Sequence, residues 1–340
     1  MTKPNFELSP VVLGERLKIA RETANITQDA AAKAAGIART TLVSIEKGQR
    51  PARLDEIQAL SRFYGVSANS LLRQEAVHVD LIPRFRSLPD TGGVGIEQAA
   101  RVLSDLVRVE VELENILGIH KPYNYPAEKT ILPGDVRKQA EQDAQSLRNW
   151  LGIGEGPIQN LFALLELQVG VRVYARKLDA KVSGLFAYDE AVGACILINA
   201  GHRQDRRTLT GAHELGHFVA TRRRPEIYQD EKYENSREER YANAFASAFL
   251  MPARAVMEKF KELTIGSSHL TRRHIILLAH FFGVSRQATV LRLEELGLTK
   301  KGTWDWFMDN GGITDEQVRQ VIGPAAYGPV PGEEAQSSRL

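Results

Sequence analysis

Thr210-Gly211-Ala212-His213-Glu214-Leu215-Gly216-His217 is the stretch on which the fold turns. His213 and His217 stand four residues apart, so on an α-helix their side chains lie one above the other on one face. Two imidazoles so placed can hold one tetrahedral Zn²⁺, with Glu214 where it can take a proton from a water at the ion. A catalytic zinc needs a third protein ligand and one open position. Without that third ligand, the same residues fit a surface helix that happens to carry two histidines.

The third ligand is sought in Ser236-Arg237-Glu238-Glu239-Arg240-Tyr241-Ala242-Asn243-Ala244-Phe245-Ala246-Ser247-Ala248-Phe249-Leu250-Met251-Pro252. Tyr241, Ala242, Phe245, Ala246, Phe249 and Leu250 recur at helical spacing and predict a buried amphipathic helix. Glu239 and Asn243, again four apart, share one stripe of it. Packed beside the first helix, Glu239 completes a His₂Glu set, and Asn243 orients a ligand histidine through its other ring nitrogen. Glu238 is the rival carboxylate, but it lacks the small residue Ala242 and the amide Asn243 at the offsets Glu239 has.

From Gly152 to Pro252 the chain resembles the ImmA/IrrE family of bacterial metallo-endopeptidases. The resemblance is carried by Arg207-Thr208-Leu209-Thr210-Gly211-Ala212-His213-Glu214-Leu215-Gly216-His217 and by Glu239-x-x-Ala242-Asn243-x-Phe245-Ala246 leading to Leu250-Met251-Pro252. It implies a gluzincin-like fold in which His213, His217 and Glu239 bind zinc and Glu214 is the catalytic acid and base. It also implies a protein substrate, a helix-turn-helix repressor.

The 340 residues leave room for two or three domains. A formal charge of +2 makes any nucleic-acid surface local rather than global. Cys195 is the single cysteine, which excludes an intrachain disulfide, suits a reducing compartment and reads as a small core residue. Neither a signal peptide nor a membrane-spanning run is legible, so a soluble cytoplasmic protein is expected.

Residues 11–73 read as five short helices: about Leu13 to Thr23, Gln28 to Ala34 behind an N-cap Thr27, Arg39 to Glu46, Leu54 to Tyr64, and Ser67 to Leu72. Leu17, Ala31, Ala35, Ile37, Leu42, Ile45, Ile57, Leu60, Phe63 and Val66 are spaced to bury one core. Ile26-Thr27-Gln28-x-x-Ala31-Ala32-x-x-Ala35-Gly36-Ile37, followed by Leu42-x-x-Ile45-Glu46-Lys47-Gly48-x-Arg50, resembles the XRE (phage-repressor-like) DNA-binding family. The resemblance implies double-stranded DNA as partner, with the third helix in the major groove. Arg39, Thr40 and Ser44 are the base-reading candidates, and Gln28, Lys47 and Arg50 the phosphate-holding ones. The alternative is a protein-binding bundle whose Lys and Arg are a solvated face.

Residues 74–134 read as a linker, Ile82 to Gly93, and then a helix. Ile96, Ala99, Leu103, Leu106, Leu113 and Leu117 alternate by three and four around Glu110. That pattern serves either a homodimer or packing on the peptidase. Residues 135–322 read as the peptidase: helices Val136 to Leu151 and Ile158 to Gln168, then strands Val169 to Tyr174, Val182 to Tyr188 and Ala194 to Asn199. An edge of that sheet can take a substrate strand. Arg222-Arg223-Arg224 and Asp230 to Glu234 read as solvated loop. Thr271 to Phe282 and Val284 to Gly297 read as a second helix-turn-helix or as helices that close the peptidase core or receive substrate. Residues 323–340 have the composition of a disordered tail.

The fold class expected is mainly α with a small β-sheet: an N-terminal five-helix bundle, then an α+β gluzincin-like zinc peptidase domain. His269, His274 and Tyr241 are the candidates for stabilising an oxyanion. His280 reads as a core histidine, and His78, His120 and His202 have no partner motif. The function expected is a zinc metallo-endopeptidase fused to a DNA-binding domain, cutting a helix-turn-helix repressor or its own linker after a stress signal. The alternatives are a regulator or antitoxin whose peptidase-like domain senses or binds without significant proteolysis, and a structural zinc with no open position.

Overall fold

Between Pro10 and Leu72 the chain forms α1 (Pro10–Thr23), α2 (Gln28–Ala34), α3 (Arg39–Glu46), α4 (Leu54–Tyr64) and α5 (Ala68–Leu72). These come from a computed structural model that describes residues 9–72, 94–119, 121–222, 226–229 and 236–323. The expected linker, the acidic run after Gln229 and the C-terminal tail lie outside the described residues. The chain divides into two compact units, Met1–His78 with Arg108–His120, and Val79–Val107 with Lys121–Leu340.

In the first unit, local chemistry sets the helix ends. The Thr27 hydroxyl accepts from the Ala30 N–H at α2, and Gly65, at φ 72°, ends α4 in the left-handed region. Leu17, Ala31, Leu42, Ile45, Ile57 and Leu60 form the expected core. Phe63 does not join it and is 44% exposed, because the inward face of α4 carries Ile57, Leu60, Ser61 and Tyr64 instead. Arg21 donates to Glu46 at 2.6 Å, tying α1 to the end of α3.

Helix α6 (Val94–Leu117) begins in the second unit and ends in the first. Its buried apolar positions are Ile96, Ala99, Ala100, Leu103, Val107 and Val111, while Leu113 and Leu117 are exposed. The buried stripe therefore follows the natural twist of a straight helix and departs from the expected seam after Leu103.

In the second unit, α7 (Val136–Leu151) and a short α8 (Leu161–Leu164) precede the sheet. Asn160 caps α8 by accepting from the Ala163 N–H. A wider π turn, Leu165–Val169, continues it to Gly170, which has φ 84°. Strand β1 (Arg172–Arg176) therefore starts later than the expected Val169. Then come β2 (Val182–Asp189), β3 (Gly193–Asn199), α9 (Gln204–Ala220), β4 (Glu226–Gln229) and α10 (Arg237–Leu250). Strand order is β1-β3-β2-β4, with β1 parallel to β3 and the other pairs antiparallel. Strand β4 falls between the two charge runs read from sequence as loop. Its four residues gain their identity as a strand by pairing with Val182 to Phe186.

Helix α9 is buried from Thr210 to Ala220 because it runs between the sheet and α10. Phe186, Ile196, Leu215, Phe218, Phe245 and Phe249 meet in the core around it, with Cys195 fully buried on β3. Helices α11 (Ala253–Thr264), α12 (Arg272–Phe282), α13 (Arg286–Glu295), α14 (Thr303–Asp309) and α15 (Asp315–Ile322) follow. Ile275, Leu278, Phe282, Val290 and Leu293 join the same core, so α12 and α13 close the second unit. His280 is exposed rather than in the core, since α12 buries its Ile275-Leu278-Ala279-Phe282 face.

Candidate metal centre and nucleic-acid interface

Two helices bring three ligand atoms together. On α9, His213 Nε2 and His217 Nε2 lie 3.0 Å apart. From α10, Glu239 Oε2 lies 3.3 Å from His213 Nε2 and Oε1 lies 3.3 Å from His217 Nε2. A tetrahedral zinc with bonds of about 2.0–2.1 Å separates its ligand atoms by about 3.3 Å, and each carboxylate oxygen stands at that distance from one of the two ring nitrogens. All three residues are buried.

The outer ring nitrogens strengthen the fit. His213 Nδ1 lies 3.0 Å from Asn243 Oδ1, and His217 Nδ1 lies 3.3 Å from Thr221 Oγ1. With both Nδ1 atoms as donors, each Nε2 carries a lone pair. Two lone pairs and a carboxylate then converge among buried residues, an arrangement that repels itself unless a cation lies between. With a hydrogen on each Nε2 instead, hydrogen bonds and charge from the two rings outweigh the burial that pushes the Glu239 carboxyl up and hold it at about 2. Burial lowers the His217 pKa, which favours its neutral, ligating form.

Local sequence explains the aim of Glu239. Ser236 caps α10 by accepting from the Glu239 N–H at 3.0 Å. In a capping box the acidic residue at this third position turns back to the cap. Here its carboxylate faces the two histidines instead, while Glu238 takes no place among them.

Glu214 is fully buried beside the triad's helix face. Strand β2 passes its carboxylate at Gly184, where an added Cβ would stand 3.2 Å from Glu214 Oε1 and 2.6 Å from Thr210 Cγ2. Tyr241 is not available to an oxyanion, because its hydroxyl donates to Asp143 at 3.0 Å within the core. His274 takes part in the cap of α12, accepting from the Thr271 N–H, and His269 Nδ1 meets Ser268 Oγ at 2.8 Å. Thr221 was not singled out from the sequence. The signal for it is its place four residues after His217, at the end of the helix.

In the first unit, α3 presents Arg39 and Thr40 at its exposed N-terminal end, and Arg39 lies 3.6 Å from Asp29. Ser44 donates to the Thr40 carbonyl at 3.0 Å, and Lys47 is exposed. Gln28 gives one amide hydrogen to Glu46 at 2.8 Å and keeps the other for a further acceptor. Arg50 is turned to Glu56 in a two-pronged pair, with both contacts at 3.0 Å.

Residues 167–294 match the Peptidase_M78 family, the IrrE N-terminal-like domain, and residues 17–71 match a helix-turn-helix family. The chain joins a helix-turn-helix domain to an IrrE-like peptidase domain. That pairing is the one of a transcription regulator carrying a peptidase-like domain, and its first part supports DNA binding. The IrrE-like match includes His213, Glu214, His217, Glu239 and Asn243. No curated protein matches the chain. Among solved structures it is similar to ComR from Streptococcus suis at 12% identity, over 94% of this chain and 79% of that one, with a TM-score of 0.19. A score that low carries no statement about a shared fold. Among the described residues, no single helix is long and apolar enough to cross a membrane.

Proposed function

We propose that the protein is a zinc metallo-endopeptidase fused to a DNA-binding domain, regulating transcription by cutting a helix-turn-helix repressor or its own linker. The supporting observation is the set of His213, His217 and Glu239, whose ligand atoms lie within 4.8 Å of one another, with buried Glu214 on the same helix. Bound Zn²⁺ supplies Lewis acidity toward a water and toward the scissile carbonyl. Glu214 would serve as the base toward the attacking water and, once protonated, as the acid toward the leaving amide nitrogen. Asn243 holds the His213 ring in the orientation that turns Nε2 toward His217 and Glu239. On the DNA side, Arg39, Thr40 and Ser44 read bases and Gln28 and Lys47 hold phosphates, while Arg50, expected among the phosphate contacts, is tied to Glu56. DNA as partner and a single buried thiol both suit the cytoplasm.

The test replaces Glu214 with Gln and incubates each protein with candidate repressors. Wild type should release a fragment, and E214Q should lose about 10²-fold or more of that rate while holding zinc. Equal output from both proteins would leave a regulator that binds and does not cut.

A further inference from the structure

Thr221 stands at the end of α9, one turn beyond His217, and does two things at once. Its backbone N–H donates to the His217 carbonyl at 2.7 Å. Its hydroxyl donates to the same carbonyl at 3.2 Å, while Oγ1 lies 3.3 Å from His217 Nδ1. With the hydroxyl hydrogen directed at the carbonyl, Oγ1 meets the ring as an acceptor. That contact places the ring hydrogen on Nδ1, and the Nε2 lone pair faces His213 and Glu239.

The next residue fastens this helix end. Arg222 Nε donates to the Phe218 carbonyl at 3.2 Å, and another guanidinium nitrogen donates to the Pro126 carbonyl at 2.6 Å. Its guanidinium carbon lies 4.2 Å from the Phe218 ring centroid and 5.3 Å from that of Tyr125. The two ligand histidines are thus oriented differently. Asn243 reaches His213 from α10, whereas His217 is held from the end of its own helix.

We propose that Thr221 is a positioning residue for metal binding: its hydroxyl fixes the tautomer and rotation of His217. The inference rests on reading His213, His217 and Glu239 as a metal site. It concerns affinity for the ion and leaves Glu214 untouched.

The test measures zinc affinity of the full chain by chelator competition. Thr221→Val removes the hydroxyl at nearly constant shape and should weaken binding about 10- to 100-fold, whereas Thr221→Ser should stay within about threefold of wild type. Circular dichroism of the metal-free proteins checks the fold. Should T221V be unfolded, Thr221→Ala compared with T221S decides by the same measurement. A hydroxyl-free variant that binds zinc as tightly as wild type would make Thr221 a helix cap only and overturn the proposal. Wild type binding no zinc would overturn the metal-site reading itself, and this inference with it.

Discussion

Gly216 of α9 faces Ala242 of α10 so closely that an added Cβ would stand 3.0 Å from Ala242 Cα and 3.3 Å from its carbonyl oxygen. This approach is what lets a carboxylate one turn earlier on α10 reach imidazoles on α9. Small residues on both sides set the separation of the helices, and the separation sets the triangle of ligand atoms.

The first prediction concerns that separation. Gly216→Ala should be nearly neutral in stability, because a helix gains about 0.5–1 kcal/mol on replacing Gly, against a slight overlap with Ala242. Gly216→Leu should cost about 1–3 kcal/mol by overpacking and drive the helices apart. Calorimetry should show the loss, and zinc titration should show G216L binding far more weakly than G216A.

Metal and folding should be linked. Zinc at about one hundred times its dissociation constant should add about 2.7 kcal/mol to the stability of the unit that holds it. A chelator should remove that increment, and His217→Ala should abolish it. Thermal unfolding of wild type and H217A, with and without zinc, is the measurement; an equal zinc response in both would count against these ligands.

The DNA-binding unit should weaken in acid through Glu56. Burial raises its pKa, but hydrogen bonds from Arg50 and the Arg53 N–H, with the charge of both arginines, outweigh this and leave it below the ordinary 4.5. The folded carboxyl thus binds a proton less readily than the unfolded one. Its stabilisation is full above pH 4.5 and is lost as pH falls through the lower folded value. Glu56→Gln should lower stability at neutral pH and flatten the acid limb of the stability curve, read by denaturant melts at several pH values.

On DNA, two residues of the α3 region should behave differently. Arg39→Ala should cost about 1–3 kcal/mol on a preferred site and relax its sequence preference. Lys47→Ala should weaken binding to all sequences alike and reduce the slope of log affinity against log salt by about one. Binding isotherms over a salt series separate the two.

What the sequence by itself determined is whatever a few neighbouring residues can settle. Helices α2, α3 and α4 begin and end where Thr27, Gly48 and Gly65 say, because caps and left-handed glycines act over one turn. The four-residue spacing of His213 and His217 fixed their shared face, and the stripe carrying Glu239 and Asn243 was legible from helical periodicity alone. Tertiary structure decided what depends on distant partners. It brought Glu239 to 3.3 Å from both rings, made a strand of Glu226–Gln229 by pairing with β2, and turned the Tyr241 hydroxyl to Asp143. It also moved the buried stripe of α6 off Leu113 and Leu117. The reason is physical: caps and periodicity are written into adjacent residues. Strand pairing, hydrogen-bond partners and the face a helix buries are chosen by whichever distant segments fill the space beside them.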